Sequence, residues 1–249
     1  MVGRPAEFGR PPRDAPEPLA PPGTRPLPAA WRLLWLAVGL AAFAWLTALS
    51  RFWLDTPLGE RFDAVLASPA IHGLPWGLRE GLSTLARPLL PVGLAALAAV
   101  LLVPALRARR ARAVLTALLV PAASLALLVV VRDGWAGLGS PAFPSGHAVA
   151  GYAVLVSVAC LWPLPVGARA GARGRGWRAA VAGWWGPVLW GLALATVTVG
   201  NVTLHAHLPG EVIGAALLVT GVSGLLLGIL APRPVRDAAG PKRGTMGPP

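Results

Sequence analysis

Six stretches of this chain are long, apolar and almost free of charge: Trp31–Leu49, Pro88–Leu106, Ala113–Val131, Ala148–Leu164, Ala179–Val199 and Val212–Ala231. Arg32, at the edge of the first, is the one charged residue among them. A bilayer core takes about 20 apolar residues per helix. A backbone inside lipid must satisfy its own polar groups, which a helix does within the segment. The pattern predicts an all-α integral membrane protein with six transmembrane helices. The fourth stretch is the shortest and gains length if its helix starts at Pro144. With 55% of its 249 residues hydrophobic and 13% charged, the chain has too little charge to cover a soluble domain.

The net charge of +12 is explained by where it sits. Arginines crowd residues 1–32, the connection Arg107–Arg112, the connection Arg169–Arg178 and, with Lys242, the C-terminal tail. The remaining connections balance Arg51, Arg61, Arg79, Arg87 and Arg132 against Asp55, Glu60, Asp63, Glu80, Asp133 and Glu211. Basic connections stay on the cytoplasmic side. Both termini are therefore expected in the cytoplasm, and the connections three-to-four and five-to-six on the outer side. The charge thus reports topology and contact with anionic membrane lipids, and a nucleic-acid partner is not expected. The excess of Arg over Lys, beside abundant Ala, Gly and Pro, suits a GC-rich bacterial gene.

Residues 1–30, rich in Pro and Arg, read as a disordered cytoplasmic tail, 31–231 as a six-helix membrane domain, and 232–249 as a second disordered tail. "GARAGARGRG", Gly167–Gly176, is a basic glycine-rich loop; no strand precedes it, so it is no nucleotide fingerprint. In the outer connection, Leu58, Phe62, Val65 and Leu66 recur near helical spacing, as in an amphipathic helix lying on the membrane surface. Cys160 is the only cysteine, so no internal disulfide can form.

Two polar clusters face outward: Arg132–His147 and Gly200–Glu211. Titratable groups at a membrane edge are functional candidates. In "PSGH", Pro144 suits a first helical turn, which would aim the amides of Ser145, Gly146 and His147 at an anion. Ser145 adds a hydroxyl, and His147 can donate a proton. Pro209 repeats the helix-start signal, with Glu211 in the first turn. Four residues before Glu211, His207 can give one ring nitrogen to that carboxylate and keep the other as nucleophile or base. No cluster of metal ligands is visible, so neither a metal nor another cofactor is expected.

With these motifs the chain resembles the type 2 phosphatidic acid phosphatase family, membrane lipid phosphatases related to vanadium haloperoxidases. Its three motifs are Lys-x6-Arg-Pro, Pro-Ser-Gly-His, and Ser-Arg-x5-His-x3-Asp. Pro144–His147 matches the second in full, and His207 matches the histidine of the third. Glu211 stands for the usual Asp, and Gly200 and Asn201 stand for Ser-Arg. Arg132 is aligned with the arginine of the first motif, which leaves Asp133 for proline and Leu125 for lysine. "REGLSTLARP", Arg79–Pro88, echoes the first motif but precedes the second apolar stretch, and is set aside as chance. His72 and His205 have no matching role.

The resemblance implies hydrolysis of lipid phosphate or isoprenyl (di)phosphate monoesters through a phosphohistidine. His207 would attack phosphorus, Glu211 hold its tautomer and His147 protonate the leaving alcohol. Arg132, Ser145, Gly146 and Asn201 would bind the phosphate oxygens. The competing expectation is a degenerate relative that binds or moves phospholipids without hydrolysis, because a lysine and an arginine of the family are replaced.

Overall fold

The computed structural model describes residues 29–53, 56–134, 143–162, 176–205 and 207–230. These are almost entirely helical, with no strand among the described residues. In order they form α1 (Ala29–Phe52), α2 (Pro57–His72), α3 (Trp76–Thr84), a π-helical turn (Leu85–Leu89), α4 (Leu90–Arg107), α5 (Ala111–Gly134), α6 (Gly146–Leu161), α7 (Gly176–Val202), a short 3-10 turn (Thr203–His205) and α8 (Pro209–Leu230). The expected tails and the loop Gly167–Gly176 lie outside the described residues, apart from Ala29 and Ala30, which open α1, and Gly176, which opens α7.

Four helical runs are long and apolar enough to cross a membrane: Ala29–Arg51, Trp76–Arg107, Ala111–Asp133 and Pro209–Leu230. Two further apolar helices, Gly146–Leu161 and Pro187–Val202, are shorter. They stand where the fourth and fifth stretches were read. The fourth stops at Leu161 rather than Leu164.

The apolar helices alternate in direction. Arg32 at the start of α1 donates from Nε to Gly228 O at the end of α8, 3.1 Å away. These two helices pack through glycines, since lipid gives helices little hydrophobic reason to associate and close backbone approach replaces it. A Cβ on Gly224 would lie 2.6 Å from Gly39 N, and one on Gly39 would lie 2.8 Å from Leu225 N. At the same end, Arg110 at the head of α5 donates to Leu161 O (2.9 Å) and Cys160 O (3.1 Å), the open C-terminal carbonyls of α6.

Buried α6 packs against α4, α5, α7 and α8. Ala148, Val149, Ala153 and Leu155 are all buried. Ser157 Oγ donates to Ala117 O of α5 (2.7 Å), and Tyr152 Oη pairs with Thr198 Oγ1 of α7 (2.9 Å). These bonds fix the height of α6 relative to both neighbours.

Pro88 causes the π turn. It has no N–H to give to the helix ladder, and the N–H of Leu90 closes a wider ring onto Leu85 O. Arg87 sits in this turn. Gly200 of α7 lies so close to Leu82 O and Ala86 Cβ that no side chain fits between them. The turn is thereby pressed against the end of α7.

The amphipathic helix read in the outer connection is α2, capped by Thr56 Oγ1 accepting from Gly59 N (3.1 Å). Its apolar residues Leu58, Phe62, Val65 and Leu66 are exposed, while Gly59, Asp63, Ala67 and Ile71, spaced four apart, are buried. The face that packs on the protein is thus the Gly59, Asp63, Ala67 and Ile71 face.

Candidate active site

The start of α6, the start of α8, the end of α5 and the π turn meet at one end of the bundle. The opposite end holds the start of α1 and the end of α8. A backbone bond joins the two polar clusters directly: Ser145 N–H donates to Glu211 O at 3.1 Å.

His207 precedes α8. Its Nδ1 lies 2.9 Å from Glu211 Oε2, with side-chain exposures of 14% and 5%. Glu211 is the third residue of α8, and its Oε2 also accepts from Leu208 N at 3.3 Å. That is the glutamate half of a capping box, in which a carboxylate in the third helical position reaches back to the cap amide. A glutamate here can hold the helix start and the histidine at once. The remaining first-turn amides of α8 are also occupied. Gly210 N–H donates to Asp63 Oδ1 of α2 (2.7 Å), and the Glu211 and Val212 amides reach Leu208 O (3.0 and 3.2 Å). Upstream, Leu204 takes a left-handed conformation (φ 61°), turning the chain from α7 toward His207.

α6 begins differently. Ser145 is its N-cap, with Oγ accepting from Ala148 N at 3.4 Å, and Pro144 lies before the helix rather than in its first turn. The Ser145 amide is taken by Glu211, so the three-amide cradle read from the sequence reduces to Gly146 and His147. Neither of these N–H groups is hydrogen-bonded among the described residues. His147 is exposed, and its ring centroid lies 6.0 Å from that of His207. Ser145 is fully buried.

Two arginines share this end. Arg132, in the last turn of α5, donates from Nη2 to Pro144 O at 2.8 Å, and its guanidinium would lie 3.5 Å from a Cβ on Gly146. Arg87 belongs to the π turn, which packs against α6. Its Nε and Nη2 are buried and have no hydrogen-bond partner among the described residues. Sequence reasoning passed over Arg87. The signal was present in Arg87-Pro88, but it was discounted because it precedes the second apolar stretch.

The structure brings together His207, Glu211, His147, Gly146, Ser145 and Arg132. It does not bring Asn201 into the open with them. Asn201 is 0% exposed, its Nδ2 donates to Val197 O at 2.7 Å, and its Oδ1 has no partner among the described residues. His72 closes α2, and the side chain of His205 lies outside the described residues. No group of three metal-ligating side chains gathers among the described residues.

Asp63 was not a candidate in the sequence. It is buried, and its burial holds the carboxyl above the usual carboxylate range. The Gly210 amide pulls the other way, as does the Trp53 indole, which stands near the carboxylate but outside hydrogen-bond geometry. The charge of Glu211 adds to the upward push.

No protein-family model, curated protein or solved structure matches the chain.

Proposed function

We propose that the protein is a membrane phosphatase that hydrolyses lipid phosphate or isoprenyl (di)phosphate monoesters at the outer membrane–water interface through a phosphohistidine. The observation that carries this reading is the His207 Nδ1–Glu211 Oε2 bond of 2.9 Å beside a second histidine ring 6.0 Å away. A carboxylate on Nδ1 fixes the proton there and leaves the lone pair on Nε2.

In the proposed reaction, His207 Nε2 attacks phosphorus and the ester P–O bond breaks. The electron pair goes to the leaving oxygen, which takes a proton from His147. Water, giving a proton back to His147, then attacks the phosphohistidine; the P–N bond breaks and inorganic phosphate leaves. The Gly146 and His147 amides, without a partner among the described residues, and Arg132 and Arg87 are suited to the equatorial oxygens, where preorganised donors act on developing charge. Arg87-Pro88 fits the Arg-Pro of the family's first motif better than Arg132-Asp133. Glu80 then stands seven residues before Arg87, where the family has lysine.

The test is phosphate release by purified protein from phosphatidate and from isoprenyl phosphates, beside His207→Ala. Release that depends on His207 supports the reading. Lipid binding without release assigns the chain to the non-hydrolysing alternative. A neutral His207 and a protonated His147 are both required, so the rate falls on both sides of an optimum pH. A monotonic profile contradicts the division of roles.

We infer six spans, with both termini cytoplasmic and the site outward. The alternating helices and the basic connection Arg107–Arg112 at the end opposite the site support this. In a Cys160→Ser background, Asp133→Cys should react with an impermeant thiol reagent in intact cells and Arg109→Cys should not. The reverse pattern overturns the orientation.

A further inference from the structure

Asp63 is a buried carboxylate with no part in the proposed chemistry. It belongs to α2, a helix outside the apolar bundle, yet its Oδ1 accepts the Gly210 amide at 2.7 Å. Gly210 is the residue before Glu211 in the first turn of α8. The fit there is close, since a Cβ on Gly210 would lie 3.0 Å from Trp53 Nε1 and 3.2 Å from Asp63 Oδ2. Trp53 in turn packs edge-on against Phe62 of α2, with ring centroids 4.4 Å apart. The start of α8 is therefore gripped from outside the bundle by one turn of α2.

A first-turn amide buried without a partner is destabilising. Water or a cap could satisfy it equally well, so stability alone does not call for a carboxylate from 147 residues away. The consequence peculiar to Asp63 is geometric. Glu211 has to face two ways, toward His207 Nδ1 and toward Leu208 N, and both bonds depend on where the first turn of α8 stands. Fixing Gly210 fixes the carboxylate that follows it.

We propose that Asp63 is a positioning residue, which holds the first turn of α8 through Gly210 so that Glu211 keeps His207 in one tautomer and one orientation. The inference rests on the proposed phosphatase reading for its kinetic consequence, but its structural consequence can be read without any activity. Asp63→Asn keeps a carbonyl acceptor for the Gly210 amide, whereas Asp63→Ala removes it.

The experiment uses the full chain in lipid nanodiscs, with 15N-labelled histidine and the His207 signals identified by their loss in His207→Ala. Wild type should show His207 protonated on Nδ1 alone. Asp63→Asn should match it, and Asp63→Ala should show a mixture of tautomers. With phosphatidate as substrate, Asp63→Ala should lose about 10- to 100-fold in kcat, the scale of a misplaced reacting group. KM should change less than about twofold, because no phosphate contact is removed. Asp63→Asn should recover most of kcat. If Asp63→Ala does not fold, Asp63→Glu, whose acceptor is displaced by one methylene, takes its place with the same expectation.

A removal variant with wild-type kcat and a single His207 tautomer overturns the proposal. So does Asp63→Asn as impaired as Asp63→Ala, since charge rather than the anchoring bond would then be at work. If wild type releases no phosphate, the phosphatase reading fails, and the tautomer spectra alone decide the role of Asp63.

Discussion

The starts of α6 and α8 lie side by side, each with a histidine, and they are built in opposite ways. At α8 every first-turn amide is occupied, the cap amide by Glu211 and Gly210 by Asp63, and His207 is tied to Glu211 at 2.9 Å. At α6 the serine cap is long, 3.4 Å, two amides have no partner among the described residues, and His147 is exposed. An occupied helix start offers an anion nothing, whereas an open one offers N–H groups and the positive end of the helix dipole. The difference matches the roles in the proposed reaction. There the held histidine would be the nucleophile, which needs one tautomer and one direction, and the exposed histidine would be the acid, which has to exchange protons with water, with phosphate against its helix start.

Breaking the held side should have the largest effect. His207→Ala should remove turnover by about 10⁴-fold or more, as when a nucleophile is deleted, measured as phosphate release by protein that still inserts and purifies. If His147→Ala proved the more damaging variant, the assignment of roles would be reversed.

Next in size is the open side. Arg87→Ala should lower kcat/KM by about 10²–10³-fold, the cost of one transition-state donor. Arg87→Lys should recover part of this, since charge returns without the planar fork. Arg132→Ala should cost less, because one of its donors is already engaged by Pro144 O at 2.8 Å. An Arg132 effect larger than that of Arg87 would return Arg132 to the leading position in phosphate binding.

Glu211→Gln should cost about 10- to 100-fold in kcat with KM little changed, because it weakens the hold on His207 without touching the open helix start. The smallest change is expected at Asn201. Asn201→Ala should leave kcat/KM within about threefold, because the wholly buried amide donates to Val197 O. Asn201→Arg should instead lower the yield of folded protein, since a long cation would be forced into a packed position. A faster Asn201→Arg enzyme would show that this position opens onto the phosphate after all.

The long apolar helices were legible in the sequence because an uncharged run of bilayer length leaves the backbone little choice. His207, Glu211 and the PSGH turn were legible because their spacing lies within one helical turn. What crosses between elements was not. That Ser145 bonds Glu211, that Asp63 reaches Gly210 and that the turn carrying Arg87 packs against α6 all depend on how helices distant in the chain dock. Arg87 shows the physical reason. Its place beside the site follows from the π turn at Pro88 and the missing side chain of Gly200, neither of which has a periodic signature. On α2 the pattern showed the helix and its exposed apolar face but not the face that packs on the protein. Four large apolar residues draw the eye, while the packed stripe is Gly59, Asp63, Ala67 and Ile71.

The most direct measurement is to trap the covalent intermediate. Purified protein mixed with 32P-labelled phosphatidate and quenched in alkali, which preserves phosphohistidine, should carry label on the peptide containing His207. The label should be absent from His207→Ala and should accumulate in His147→Ala with substrates whose leaving alcohol needs little protonation. Label on His147, or full turnover with label on neither histidine, would contradict the division between a held nucleophile and an exposed acid.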